Sequence, residues 1–564
     1  MSMSGFVKWL AIALIVYFLV FPLLMLGLAA LTGSPYTASG PYLLDGFGKV
    51  LSDRAFYNAF LTSLVLSSLT ALGSLALGSY FAVIATRMDV PLRGWITPSM
   101  VIITATPGLF YAMSWSMLAN ANAGVLAKIL TSIGLGSVGQ VLNAVSWPGL
   151  VVVSIFKVTG FAYLFLIGPI SASDRSQEDA AVVFGSSRFV AFMTVTLPSL
   201  APAYLAVGIL MLVFGMQTFD IPAVLGVPVG IQPLSLLVND YLIINVRPDW
   251  AAASSTAVLM TLFVAVLVCL QIFMLHGKDF ASLGGRAQNG PTRPPRSLGW
   301  LVSASIGLYC LLAIAAPIVQ FVIGAFQPFF GLYGAWTLGN FVTVLTDRVG
   351  VTALRTTLLI VFIAAPVTVI SGFLMAYAMS RYQRTLVSSV ARLGSWVPAT
   401  TPGIVLSVAL LATFIQTPGI RKLFGSPVLM ALALVVGGIP IAVRAAESMV
   451  AQVSPDLESA ARVSGAGAFS ATFGIVARLC APALLGAWLL ISLWMAGTLD
   501  VPMLLQSSRS QTIATYSYSL FANGQTSEAA AIFVLFIGSF ALCILLLTAL
   551  AGLAARLRNR VAGA

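Results

Sequence analysis

The recurrence of long apolar runs that do not alternate constrains this chain more than any other feature. Segments 262–270 and 540–547 are apolar at every position. Such runs sit in stretches of about 20 residues, the length of helix that crosses a hydrocarbon layer of roughly 30 Å. A membrane β-barrel would place a polar residue at every second position instead. Only 8% of the 564 residues are charged against 59% apolar, which leaves too little charge to cover a soluble surface of this size. The expected fold is an all-α polytopic membrane bundle.

About twelve spans are expected, centred near residues 18, 72, 107, 160, 212, 264, 312, 368, 404, 438, 492 and 543. The first, residues 6–31, is longer and more evenly apolar than a signal peptide and has no convincing small-residue cleavage site, so it reads as a retained helix. A polar segment from Gly284 to Arg296, rich in Gly, Pro and Arg, reads as a linker between the sixth and seventh spans. The chain then divides into a first transmembrane half (1–276), a linker (277–297) and a second half (298–564).

The net charge of +12 does not point to nucleic acid, because the basic residues fall in short loops between spans. With the N-terminus in the cytoplasm, Lys and Arg in the inner segments outnumber those outside by about two to one, which predicts two cytoplasmic termini. Cys269, Cys310, Cys480 and Cys543 lie in apolar surroundings without ligand-like spacing and read as structural thiols, and His276 reads as an interfacial residue.

The halves repeat each other. Thr62-Ser63-Leu64, Gly78, Ala82 and Arg87 return 294 positions later as Thr356-Thr357-Leu358, Gly372, Ala376 and Arg381. Thr106-Pro107-Gly108 returns as Thr401-Pro402-Gly403, and Asp220-Ile221-Pro222 returns as Asp500-Val501-Pro502. An even number of spans per half gives both copies one orientation, with a path expected along the pseudo-two-fold between them.

Two loops, each between the fourth and fifth spans of its half, carry the most specific pattern. The first reads Glu178-Asp179-Ala180-Ala181, then Gly185 and Leu197-Pro198; the second reads Glu458-Ser459-Ala460-Ala461, then Gly465 and Ile475. An alanine pair leaves a helix face without bulk, so another protein can approach closely. Glycine permits a sharp turn, early acids suit the helix dipole and can meet basic groups of a partner, and proline fits the first turn of the next helix. The bland alternative is an ordinary amphipathic loop, which the occurrence of the pattern at equivalent places in both halves disfavours.

This pattern resembles the EAA motif of the permeases of ATP-binding-cassette (ABC) importers. Together with the two six-span halves and the paired Thr-Pro-Gly and Asp-Ile/Val-Pro, the whole chain looks like the fused ferric iron permeases, with thiamine, 2-aminoethylphosphonate and polyamine permeases as relatives. The resemblance implies the type I importer fold, a pseudo-dimer of parallel six-helix repeats in the inner membrane of a prokaryote. It implies coupling helices at both loops, two copies of an ABC ATPase inside, and an extracytoplasmic solute-binding protein. It implies no catalysis or cofactor in this chain, ATP and Mg being held by the ATPase, and no Gly-x-x-x-x-Gly-Lys-Ser/Thr occurs here. A rival of another class, an ion-coupled secondary transporter, also uses twelve spans but has no need of two such loops. The loops are unequal: Ser459 replaces the aligned acid, Ala477-Arg478 replaces Leu-Pro, and a later proline, Pro202 or Pro482, is expected to start the next helix in either copy.

Ionisable groups inside spans cost about 2.5–3.5 kcal/mol each on insertion scales and are candidates for function. Asp220 and Asp500 are expected near the outer ends of the fifth and eleventh spans, either gating a cation or capping the short helices that follow. Lys157 is read either as a cavity residue or as a lysine tied to backbone carbonyls, and Gly437 takes its place in the second half. Arg444 and Glu447 have the spacing of an ion pair on one helix face. No metal site is assigned. Pro-Gly pairs within spans are expected to allow kinks near the path.

Overall fold

In a hydrocarbon layer a backbone N–H or C=O has no water to bond, so each apolar run closes its hydrogen bonds internally as a helix. The computed structural model describes residues 9, 11–34, 44–173, 175–243, 248–275, 291–467, 470, 472–507 and 509–562. Its first half contains α1 (Ala11–Thr32), α2 (Arg54–Arg87), α3 (Ile96–Ala105), α4 (Gly108–Leu118) and α5 (Trp147–Ala172). Then come α6 (Ser176–Val183), α7 (Ala201–Gln217), α8 (Asp220–Leu225), α9 (Leu234–Ile243) and α10 (Trp250–Leu275).

The second half repeats the order. It contains α11 (Arg296–Ala325), α12 (Arg348–Arg381), α13 (Leu386–Thr400), α14 (Gly403–Gln416) and α15 (Pro427–Gln452). These lead to α16 (Pro455–Val463), α17 (Thr472–Gly497), α18 (Asp500–Leu505), α19 (Ile513–Ala522) and α20 (Thr526–Ala562). Each helix therefore has its counterpart ten labels later. Among the described residues nine helices are long and apolar enough to cross a membrane, or twelve if each bent pair is one span, and these match the expected twelve in place.

The third and ninth spans are broken rather than kinked. α3 meets α4 at 104° and α13 meets α14 at 118°, each across a Thr-Pro-Gly. Proline removes an N–H and pushes its predecessor out of helical geometry: Thr106 and Thr401 are extended, at ψ 125° and 120°. By contrast, α15 runs unbroken through Gly437-Gly438-Ile439-Pro440. The fifth span bends by 69° between Phe192–Ser199 and α7. Pro198 and Pro202, four residues apart, both lack a donor there. The expectation that Pro482 starts the next helix is corrected: with Arg478 in place of the first proline, a single missing N–H is tolerated and α17 passes through Pro482. Four prolines, Pro22, Pro198, Pro317 and Pro366, each follow by two residues a π-helical turn, which widens the helix where the ring would strike a carbonyl.

Close helix contact is made with small residues, since lipid tails are as apolar as leucine and give no hydrophobic drive to pairing. A Cβ on Gly78 would lie 2.7 Å from the Ala162 Cβ of α5, and one on Gly372 would overlap Ala442 of α15, so the repeated glycine sets the α2–α5 and α12–α15 crossings. The first helix of each half crosses over: α1 packs on α10 but also on α14, and α11 packs on α20 but also on α4. Around this bundle Leu69, Leu72, Ile363 and Ile370 are exposed, as a lipid-facing surface requires. Residues 244–247 and 276–290, with His276 and most of the expected linker, lie outside the described residues.

Candidate functional site

The two loop helices are built alike. α6 has Glu178 and Asp179 in its first turn and α16 has Asp456 and Glu458. Both end on a glycine with positive φ, Gly185 at 97° and Gly465 at 92°. Gly185 N–H donates to Val182 O at 3.0 Å and Ser186 N–H to Ala181 O at 3.1 Å; Gly465 and Ala466 repeat the pattern on Arg462 and Ala461 at 3.0 and 2.9 Å. This left-handed stop suits glycine because it has no Cβ to clash. It turns the last apolar side chains outward: Val183 is 83% exposed, Phe184 91% and Val463 90%. Ala180 and Ala460 are exposed, and Ala181 and Ala461 half-buried. Ile475, Leu197 and Thr196 lie in the turns that lead to the fifth spans, with Pro198 exposed beside them.

The leading glutamates are bonded within the chain. Glu178 pairs with Arg87, the last residue of α2, and accepts a 2.9 Å bond from the Thr196 hydroxyl. Arg87 also donates to Ser173 Oγ at 2.7 Å and lies 5.4 Å from the centre of the Phe192 ring. Glu458 pairs at 2.7 Å with Arg381, the last residue of α12, and accepts a 2.5 Å bond from Tyr377. Arg381 donates further to Val453 O at 2.6 Å. Asp179 and Ser459 are exposed.

Asp220 and Asp500 meet between the halves, at the breaks of the third and ninth spans. Asp220 accepts from Leu499 N–H, across the pseudo-symmetric boundary, at 3.3 Å, and its carboxylate lies against Gly108 at the start of α4. Asp500 accepts from Thr498 Oγ1 at 2.6 Å and from its own neighbour Val501 N–H at 2.8 Å. Equivalent acids thus do different work: Asp500 holds the start of its own helix, and Asp220 holds the start of α18 in the other half. Both are partly buried. A Cβ on Gly403 would overlap the Asp500 carboxylate, and one on Gly108 would come within 2.9 Å of that of Asp220, so only glycine admits the carboxylates there.

Lys157 caps the end of α3. Its ammonium donates to Ile103 O at 2.6 Å, Thr104 O at 3.1 Å and Thr106 O, and it is the cation that faces Asp220. In the second half Gly437 leaves this place to the Trp494 ring, 3.0 Å from where a Cβ would be. Arg444 and Glu447 form the expected ion pair at 2.9 Å. Among the described residues no group of three or more metal-ligating side chains occurs.

Sequence reasoning missed the partners of the loop glutamates. The signal was present: in a chain with 8% charge, a Glu and an Arg each recur at equivalent positions of both halves. Opposite charges repeated together mark a contact.

A family model described as binding-protein-dependent transport system inner membrane component matches residues 74–276 and again 368–559. Over 482 residues the chain is 21% identical to the ferric transport system permease protein of Actinobacillus pleuropneumoniae, covering 84% of this chain and 68% of that one. It is 26% identical over 502 residues to a protein of Sinorhizobium fredii named as a probable ABC transporter permease, covering 84% of each. A protein of Salmonella typhi named for 2-aminoethylphosphonate transport matches at 24% over 282 residues, 50% of this chain and 93% of its own length.

Proposed function

The chain belongs to the family of binding-protein-dependent transport system inner membrane components, and from that premise we propose that it imports ferric iron as the fused permease of an ABC importer. It is an integral inner-membrane permease of the ABC importer kind, a transport subunit rather than a catalyst. The family sets aside the ion-coupled secondary transporter. In the proposed arrangement both termini and both loops are cytoplasmic. An ATPase subunit docks at each loop, where ATP and Mg are held, and a binding protein delivers solute at the opposite face.

One observation carries this reading: an exposed loop helix occurs twice, each copy presenting a small face and an apolar tip formed by Val183 and Phe184 or by Val463. Apolar side chains this exposed at equivalent ends of two loop helices suit a surface that another protein covers. Glu178 and Glu458 are bonded inward and add no unpaired charge to that surface.

Ferric iron as solute is supported by the named relative that covers most of the chain. The half-chain match to a protein named for 2-aminoethylphosphonate favours that anion as the second reading; the amine of Lys157, occupied by three carbonyls, does not favour it. Thiamine and polyamines share the family without a specific observation here. The test is uptake by proteoliposomes holding the chain with its co-expressed ATPase and binding protein. ATP-dependent uptake of labelled ferric iron, unaffected by excess 2-aminoethylphosphonate, is expected; uptake of the phosphonate and not of iron reverses the choice. Phe184→Asp with Val463→Asp is expected to abolish either uptake together with ATPase binding.

A further inference from the structure

The two inward-facing glutamates each sit where three elements meet. In the first half Glu178 belongs to α6, its arginine ends α2, and Thr196 lies at the entry to the fifth span. In the second half Glu458 belongs to α16, Arg381 ends α12, and the second bond comes from Tyr377 of α12. The loop helix itself packs against the turn Thr472–Val476 that opens α17. The halves differ in that second bond because Thr196 and Val83 of the first half stand where Val476 and Tyr377 stand in the second. The ion pairs are well shielded, with side-chain exposures of 8% and 14% in the first half and 12% and 9% in the second. A charge pair removed from water is stiff, because opening it leaves each charge without compensation.

Each arginine stands at the end of a 34-residue helix that packs along both the fourth and fifth spans of its half. The loop helix and its long helix are also joined by Arg175, which donates to Thr86 O at 2.8 Å. The linker adds a further tie in the first half: Thr292 N–H donates to Arg87 O at 3.0 Å and Arg188 donates to Thr292 Oγ1 at 2.7 Å.

We propose that Arg87 and Arg381 are positioning residues that clamp each loop helix to the second span of its half, so that a displacement of the loop is delivered to that span directly. The proposal rests on the reading that ATPase subunits dock at the loops. Movement applied to α6 then reaches α2 through Arg87 and the fifth span through Thr196. On the other side, movement of α16 reaches α12 through two bonds to Glu458 and reaches α17 by direct packing on its first turn. The second span, packed against both neighbours, is the body that turns.

Paired spin labels on the full chain with its co-expressed ATPase test this. The four native cysteines are replaced by serine, one label pair is placed at Gln177 and Leu457 on the loop helices, and another at Tyr80 and Leu374 on the long helices. Distances are compared without nucleotide and after trapping with ATP and vanadate. With native arginines, both pairs are expected to change distance. In Arg87→Gln with Arg381→Gln the loop pair is expected to move while the long-helix change is lost, and Arg87→Lys with Arg381→Lys restores it. Glu178→Gln with Glu458→Gln, which leaves no buried unpaired carboxylate, is expected to uncouple in the same way. A long-helix change that persists in the glutamine variants overturns the clamp and leaves ATPase docking intact. Loop helices that stay still with native arginines overturn the docking reading itself, and the clamp with it.

Discussion

Arg381 and Glu458 keep only 12% and 9% of their side-chain surface exposed, whereas Arg444 and Glu447 keep 45% and 38%. Burial decides what each pair is worth. Glu458→Ala strands an arginine and is expected to cost about 3–5 kcal/mol, seen as a clear fall in the unfolding temperature of the detergent-solubilised chain. Arg444→Ala breaks a screened pair and is expected to cost under about 1 kcal/mol in the same assay. Lys157 lies between these cases. Lys157→Met frees three carbonyls at the end of α3 and takes away the cation facing Asp220. A loss of about 1–3 kcal/mol is expected, the range for leaving buried acceptors unmet. Gly437→Ala, at the equivalent place, meets the Trp494 ring at 3.0 Å instead and tests packing alone.

Individual helices are punctuated by backbone chemistry. Gly185 and Gly465 hold left-handed geometry at the ends of α6 and α16; a β-branched residue there costs roughly 1–2 kcal/mol in backbone strain. Gly185→Val with Gly465→Val is therefore expected to reduce co-purification of the ATPase, with asparagine at the same positions milder. At the start of α12, Asp347 accepts from Tyr516 of α19 at 2.6 Å and from Val349 and Gly350 N–H. These bonds, that of Tyr516 foremost, hold its carboxyl below the ordinary value. A carboxyl lowered on folding contributes stability above its unfolded pKa, about 3.9, and loses it as pH falls through the folded one. Asp347→Asn is thus expected to lower thermal stability at neutral pH, with the difference from the native chain closing below about pH 4.

Across the whole molecule, what was legible in the sequence was what is written locally. Twelve spans followed from run length, the repeat from Thr-Pro-Gly and Asp-Ile/Val-Pro, and the loop helices from the acid, alanine and glycine spacing. The crossover of α1 onto α14 and of α11 onto α4 left no such mark, because residues facing lipid and residues facing another helix are equally apolar. For the same reason the bond from Leu499 N–H to Asp220 could not be foreseen: it joins positions 279 apart whose approach depends on how two broken spans fold back. Pro482 misled because one proline has two possible fates, and the absence of the first proline, at 478, decides between them. In the proposed function two loop helices, alike in their apolar tips, each engage one ATPase. Native mass spectrometry of the chain purified with its co-expressed ATPase tests that most directly. The account predicts a mass of one chain with two ATPase subunits, falling to one subunit when Phe184→Asp disables the first loop. Recovery of the native chain with no ATPase bound would contradict it.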